Sequence, residues 1–388
     1  MNQADSEIMQ GILNKAGYEI EEDGDLIIIN TCTVKDQTIK NFKKFLEQYK
    51  DKKVILAGCI AQTQKLDYSC VGTDQIHKIV EVVEETLEGN IVSMIKREKN
   101  ERLNLPKIRK NDIIEIIPIC QGCLDRCSFC QTKAARGHLY SYSVEGIVKQ
   151  MKNAIKEGAK EIWLTSQDNG AYGKDIGTNL CGLLKELLKI EGEYKIRIGM
   201  GNPNHLIDMV DEIFDILQHP KMFKFIHIPV QSGNNQVLKD MNRRYTVEQF
   251  IDICNKLKGI TLATDIIVGF PTETEEQFLE TLNLVNKIKF DVINISKYSA
   301  RPNTPASKMK QLHQGIINDR SKRLTELFKE ISLERNEAWN EWQGEVLIDD
   351  TNMGRNFAYK PIVFDSKKIL GETVNVKVKE VTTFHLKA

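Results

Sequence analysis

No apolar run in this sequence reaches the ~20 residues that a membrane-spanning helix requires, so no membrane partner is expected. The first residues carry neither the basic nor the apolar segment of a secretory signal. Net charge is absent too: 54 Lys and Arg balance 54 Asp and Glu. That balance argues against non-specific coating of nucleic acid but permits a local basic groove. Histidine is scarce, with seven in 388 residues, and none falls within the densest group of cysteines. Nine cysteines without secretory features point to a reducing cytoplasm and to metal ligation in place of disulfides. Apolar and charged fractions of 41% and 28% are those of a globular chain, long enough for two or three domains.

The densest cysteines are in Cys123-Leu124-Asp125-Arg126-Cys127-Ser128-Phe129-Cys130, a C-x3-C-x2-C spacing preceded by Gly122. Three thiolates on one short loop suit three corners of a cubane iron–sulfur cluster and leave one iron open to another ligand. A zinc site is the alternative. It normally pairs two C-x2-C knuckles or adds histidines, and here only Cys120 is near enough to complete a tetrahedral set.

Residues 1–95 read as a small α/β unit. Asp5 or Ser6 is placed to cap a helix that runs to about Lys15, with Ile8, Met9, Ile12 and Leu13 on one face. Leu26-Ile27-Ile28-Ile29 and Val54-Ile55-Leu56-Ala57 are continuous apolar runs of strand length, as buried parallel strands require. They end in Cys32 and Cys59. Two strands that each deliver a cysteine at the carboxyl end imply a site on one edge of a parallel sheet; burial as inert thiols is the alternative for either alone. Cys70 follows no strand signal and reads as structural. The opening Met1 to Glu7 reads as a strand-to-helix turn without its preceding strand.

Residues 96–112 form a basic linker holding Lys96, Arg97, Lys99, Arg102, Lys107, Arg109 and Lys110. It is either a solvated connector or a track for a polyanion such as RNA. From 113 to 306 the pattern is strand, polar loop, helix, repeated six times. The strands are expected at Ile113–Ile119, Glu161–Thr165, Lys195–Met200, Phe225–Val230, Leu262–Val268 and Val292–Tyr298. Helices are expected at Val144–Lys156, Leu180–Ile190 and Thr274–Lys287. The fold class is therefore α/β, with a partial (βα)6 barrel whose strand-end loops share one mouth. Those loops hold the three cysteines and also Ser166, Gln167, Gln231, Ser232 and Gly269. Residues 307–342 read as a helical connector. Residues 343–388 switch to period two and read as a small all-β barrel of an RNA-binding kind. Arg355, Tyr359, Lys360, Lys377, Lys379 and Phe384 are its candidate RNA contacts, although seven basic and seven acidic residues cancel from Glu341 onward.

The cysteine loop at the end of the first barrel strand resembles the signature of radical S-adenosylmethionine (SAM) enzymes. The likeness covers nearly the whole chain and narrows to the methylthiotransferases. Asn30-Thr31-Cys32-Thr33-Val34 and Ala57-Gly58-Cys59-Ile60-Ala61-Gln62 resemble ligand motifs of their auxiliary cluster. Leu164 to Asp168, His227 to Gly233, Asp265 to Pro271 and Tyr298 to Pro305 resemble their barrel motifs, and the C-terminal segment resembles their TRAM domain. Gly122-Cys123-Leu124, Lys133-Ala134-Ala135-Arg136-Gly137 and Gln75 to Thr86 carry a likeness to the archaeal and eukaryotic branch, which acts on N6-threonylcarbamoyladenosine at position 37 of tRNA.

The resemblance implies two [4Fe–4S] clusters. One is held by Cys123, Cys127 and Cys130 with SAM on its open iron; the auxiliary one is held by Cys32 and Cys59. It implies that Ser166, Gln167, Gln231, Ser232 and Gly269 position SAM. It also implies an electron donor protein and the tRNA anticodon stem-loop as partners. The family's first auxiliary ligand lies just before the segment that begins here at Met1, so a polypeptide with these ends is expected to hold the auxiliary cluster poorly. Two other readings stand beside this one: modification of another tRNA adenosine or a ribosomal protein residue, and a non-catalytic zinc protein that binds RNA.

Overall fold

The computed structural model describes residues 1–32, 42 and 44–388. Thr33 and Val34 of the first auxiliary motif lie outside the described residues. The chain opens with α1 (Asn2–Lys15). A four-stranded parallel sheet follows, in the order β1 (Leu26–Thr31), β2 (Lys53–Gly58), β3 (Ser69–Val71) and β4 (Ser93–Met94). Alternation along β2 divides its side chains between two cores. Ile55 and Ala57 pack with Ile8, Met9 and Leu13 of α1, whereas Val54 and Leu56 pack with Ile27, Phe42 and Ile60. Both faces are covered, which is why these strands read as unbroken apolar runs. Cys70 is buried within β3, so the expectation of a structural cysteine fits, but the strand around it gave no signal. The short helix α2 (Cys59–Thr63) starts directly at the end of β2, and α3 (Ile79–Leu87) closes the layer beneath.

Asp5 and Ser6 do not cap α1. The helix begins at Asn2, and Asp5 lies inside it at 1% exposure, paired with Arg102 at 2.5 Å and Arg136 at 2.6 Å. Ser6 accepts a hydrogen bond from Asn30 Nδ2 at 2.8 Å. A polar residue near a helix start resembles a cap only until its long-range partners are known.

The linker is held by ion pairs that neither of its readings anticipates. Arg97 pairs with Asp74 at 3.3 Å, Arg102 with Asp5, and Lys107 and Arg109 with the fully buried Glu115. Four of its cations are thus engaged in pairs that fasten α1 and the first sheet to the next unit.

That unit is a row of parallel strands: β5 (Ile114–Pro118), β8 (Glu161–Thr165), β9 (Lys195–Ile198), β10 (Phe225–His227), β11 (Thr261–Val268) and β12 (Val292–Lys297). A small hairpin, β6 (Cys120–Gln121) with β7 (Tyr140–Ser141), interrupts the count. Direct ladders join β5–β8–β9 and β10–β11–β12. The two halves meet where Ile196 N–H donates to Lys221 O at 2.7 Å and Gly201 N–H to His227 O at 3.0 Å. All six strands fall where the sequence predicts them. Between them come α4 (Thr132–Arg136), α5 (Val144–Lys156), α6 (Leu180–Leu188), α7 (Val210–Leu217), α8 (Asn235–Asp240), α9 (Val247–Lys256) and α10 (Glu275–Ile288). Ser143 caps α5, and Thr246/Gln249 and Thr274/Gln277 form reciprocal capping boxes on α9 and α10.

The 24-residue α11 (Gln314–Glu337) leads into the last unit. Its six strands are β13 (Gln343–Asp350), β14 (Met353–Arg355), β15 (Pro361–Val363), β16 (Thr373–Lys377), β17 (Glu380–Val381) and β18 (Leu386–Lys387), around Val346, Ile348, Ile362, Phe364, Val378 and Leu386. Three of the six expected RNA contacts are engaged within the chain instead. Tyr359 packs on Phe223 and Phe225 with ring centroids 4.8 and 5.1 Å apart, Arg355 pairs with Asp349, and Lys360 is buried against Asp291 at 2.8 Å. Lys377 pairs with Glu341, while Phe384 stays 62% exposed. No helix among the described residues is long and apolar enough to cross a membrane.

Candidate functional site

The chain turns sharply after β6 because Gly122 sits at φ +75°, where a side chain is strained. Its N–H donates to Gln167 Oε1 at 2.7 Å, so Gln167 braces the loop from the next strand end. The eight residues that follow are clamped along their backbone. Cys123 N–H donates to Gly137 O, Lys133 Nζ to Leu124 O, Asn242 Nδ2 to Arg126 O and Ser128 N–H to Met241 O. Cys130 N–H returns to Cys127 O at 3.1 Å, which puts those two cysteines in one tight turn.

Cys123, Cys127 and Cys130 are all free and half-buried, and Cys130 lines a cleft of about 350 Å³ at the strand carboxyl ends. Opposite it stand Gln231, His227, Asp265, Asn294 and Lys297. His227 Nε2 lies 3.0 Å from Asp265 Oδ1, which also accepts from Asn294 Nδ2 at 2.8 Å. Gln231 holds φ +71° at this wall.

Not every expected SAM contact reaches the cleft. Ser232 is fully buried, 3.4 Å from Thr281 Oγ1 and accepting from Asn234 N–H. Gly269 donates to Glu273 Oε2 at 2.9 Å, and a Cβ there would lie 2.5 Å from Ile317. Ser232 thus lies against α10 and Gly269 against α11, each a helix that follows a later strand. Ser166 is engaged with Asn169 Oδ1 and with Asp168 N–H, so it shapes its loop.

No local pattern marks the charged ring around the cysteine loop. Asn202 Nδ2 bonds to Asp125 Oδ2, and Asn202 N–H donates to Asp168 Oδ1 at 2.9 Å. His205 Nε2 lies 3.4 Å from Asp125 and 3.6 Å from Asp168. Burial would raise the Asp125 carboxyl, but His205, Arg243 and Arg244 overcome it and hold it below the usual carboxylate range; burial keeps Asp168 above that range. Arg243 is half-buried. It donates to Tyr245 Oη at 3.0 Å, Asn202 Oδ1 at 2.6 Å, Pro229 O at 3.1 Å and Cys127 Sγ at 3.3 Å.

These residues fit an iron–sulfur cluster held by three thiolates. Among the described residues no carboxylate forms an ion pair with Arg243, and of its four acceptors only the sulfur becomes an anion on binding iron. The zinc reading needs Cys120 as a fourth ligand. That thiol is fully buried in the barrel core with Sγ 3.8 Å from Asp168 O, and burial pushes it up to about 12.

Cys32 and Cys59 follow β1 and β2, whose last paired residues are Thr31 and Gly58. The two cysteines therefore stand side by side at adjacent strand ends, one half-buried and one buried. Burial raises the Cys59 thiol, opposed by the charge of the nearby Arg136 guanidinium, which pairs with Asp5. Arg136 ends α4, which packs against α2 and begins two residues after Cys130. The two groups of cysteines thus lie at opposite ends of a helix rising only about 8 Å.

Two family profiles match the chain: "Radical SAM superfamily" over residues 117–285 and "Uncharacterized protein family UPF0004" over residues 1–78. The chain is 39% identical to the threonylcarbamoyladenosine tRNA methylthiotransferase of Drosophila melanogaster, over 99% of this chain and 75% of that protein. It is 42% identical to the probable threonylcarbamoyladenosine tRNA methylthiotransferase of Pyrococcus abyssi, over 89% of this chain and 86% of that one. Among solved structures, the radical SAM methyltransferase TsrM of Kitasatospora setae superposes with a TM-score of 0.58 at 14% identity, over 78% of this chain and 72% of that one, which marks a shared fold.

Proposed function

We propose that this chain, which belongs to the threonylcarbamoyladenosine tRNA methylthiotransferases of the radical SAM superfamily, converts N6-threonylcarbamoyladenosine at position 37 of tRNA to its 2-methylthio derivative. The family implies SAM, a [4Fe–4S] cluster and a tRNA substrate. The observation that carries the reading is the triad of clamped, half-buried thiols beside a polar cleft, with one guanidinium on a sulfur and no fourth thiol available.

In this reading Cys123, Cys127 and Cys130 hold the first cluster, and Cys32 and Cys59 hold an auxiliary one that presents sulfur. Bound cluster and SAM together supply a radical able to remove hydrogen from C2 of adenine, a bond too strong and too weakly acidic for a side-chain base. The protein's part is orientation and exclusion of water. Gln167 fixes the turn before Cys123. Gln231, His227, Asp265 and Asn294 offer donors and acceptors across the cleft. Residues 1–95 would be the methylthiotransferase domain, joined by linker 96–112 to barrel 113–306, and by connector 307–342 to a TRAM domain at 343–388. The anticodon stem-loop is the segment of tRNA to be read, the electron donor a separate protein, and the compartment the cytoplasm. Neither a ribosomal protein substrate nor a non-catalytic zinc protein is favoured by the relatives.

Anaerobic reconstitution with iron and sulfide tests the reading. A brown protein that cleaves SAM under reduction, and adds a methylthio group to threonylcarbamoyladenosine in tRNA by nucleoside mass spectrometry, is the expected result. A colourless zinc protein, or mass gained by ribosomal protein and not by tRNA, would overturn it.

A further inference from the structure

Arg243 is the one side chain among the described residues that donates a hydrogen bond to a sulfur of the C-x3-C-x2-C loop. Its position is over-determined. Nε is held by Tyr245 Oη, and Nη2 by Asn202 Oδ1 and Pro229 O, so Nη1 reaches Cys127 Sγ with the plane of the guanidinium already fixed. The tyrosine is itself locked, since its hydroxyl donates to Val230 O at 2.6 Å. Asn202 is locked as well, through Asp125 within the cysteine loop. Neighbouring Arg244 points to Asp125 at 3.9 Å and is mostly exposed, so it does not duplicate the contact.

A fixed cation that donates to a ligating thiolate stabilises the more negative, reduced state of a cluster and raises its potential. Hydrogen bonds to sulfur and local charge are the protein's principal levers on that quantity. Lysine would be a poor substitute, because a point ammonium cannot serve four acceptors in one plane. We infer that Arg243 is a positioning residue that raises the reduction potential of the cluster held by Cys123, Cys127 and Cys130, easing entry of the electron on which the chemistry depends. This inference rests on the iron–sulfur reading of that loop.

The test is a redox titration of the reconstituted full chain without SAM, followed by electron paramagnetic resonance, for wild type, Arg243→Lys and Arg243→Gln. At any fixed potential, the ratio of reduced to oxidised cluster in R243Q should be about tenfold lower than in wild type, a midpoint lower by about 59 mV for one electron. R243K should fall between the two. Whichever variant retains full iron is decisive: a midpoint equal to wild type overturns the inference. A wild-type chain that takes up no iron defeats the underlying reading, whereas a loaded wild type with unmoved variants defeats only the role of Arg243.

Discussion

Replacing Asp5 with Asn removes one charge from the most enclosed ionic group among the described residues. Asp5 is 1% exposed and its two partners, Arg102 and Arg136, are 2% exposed at their side chains. Asparagine keeps the shape but leaves two guanidiniums facing each other without an anion. Breaking a buried pair in this way costs about 3–5 kcal/mol, a large share of the roughly 5–15 kcal/mol that holds a domain folded. With a urea dependence of about 2.5 kcal/mol per molar, the midpoint should fall by about 1.5 M.

The pH dependence follows from the same contacts. Burial alone would raise the Asp5 carboxyl, but Arg136 and Arg102 overcome it and hold it below the ordinary value. Its folded value is depressed, so its contribution is complete above the unfolded value near 3.9 and is lost as pH falls through the folded value. The Asp5 contribution should therefore be present at neutral pH, and wild type and D5N should converge in acid. Urea unfolding followed by circular dichroism at several pH values measures both effects. A midpoint shift below about 0.3 M at neutral pH, under 1 kcal/mol at that slope, would refute the assignment of Asp5 as the anchor between α1, the linker and α4.

Gly122→Ala should prevent iron uptake, because the new Cβ would meet His138 O at 2.0 Å with φ already at +75°. The strain alone is about 1–3 kcal/mol; full iron content with native circular dichroism would refute it. Glu161 lies fully buried where the barrel meets the C-terminal unit, and burial raises its carboxyl to about 7, opposed by the hydrogen bond from Trp163 Nε1 at 2.6 Å. A carboxyl raised on folding binds its proton more tightly in the native state, so wild type should lose stability as pH climbs from about 4.5 to 7, by about 3 kcal/mol at 1.4 per unit. Glu161→Gln should flatten that slope in thermal unfolding, and an unchanged slope would count against the shift.

The barrel was legible because its strands are buried on both faces and so read as apolar runs bounded by polar loops; Glu161–Thr165 and Val144–Lys156 are found with the expected bounds. The three thiols were legible because cluster ligands repeat within a few residues. What the sequence hid is long-range pairing. Asp5 meets Arg102 and Arg136 across 97 and 131 residues, and Arg243 meets Cys127 across 116. Local periodicity cannot register such partners, so Asp5 looked like a cap and the linker cations looked solvated. Ser232 and Gly269 show a related limit: lying after a strand places a residue near the mouth, but only the loop's path brings Ser232 to Thr281 and Gly269 to Ile317.

Residues that perform chemistry are constrained by a ligand with a short span, and their spacing is therefore local. Residues that position them answer to the fold, and a cation is free for phosphate only if the fold has not already neutralised it. Arg97, Arg102, Lys107 and Arg109 of the linker, with Arg355 and Lys360 of the last unit, each have an intramolecular carboxylate. A phosphate backbone, whose affinity comes from releasing counterions at unpaired cations, would have to displace those carboxylates before it gained anything. The exposed Phe384 and the cleft-lining Lys297, whose Nζ donates to the neutral Asn318 Oδ1 at 2.8 Å and forms no ion pair among the described residues, are not encumbered in this way. They are better places to look for tRNA contacts than the basic linker that draws the eye in the sequence.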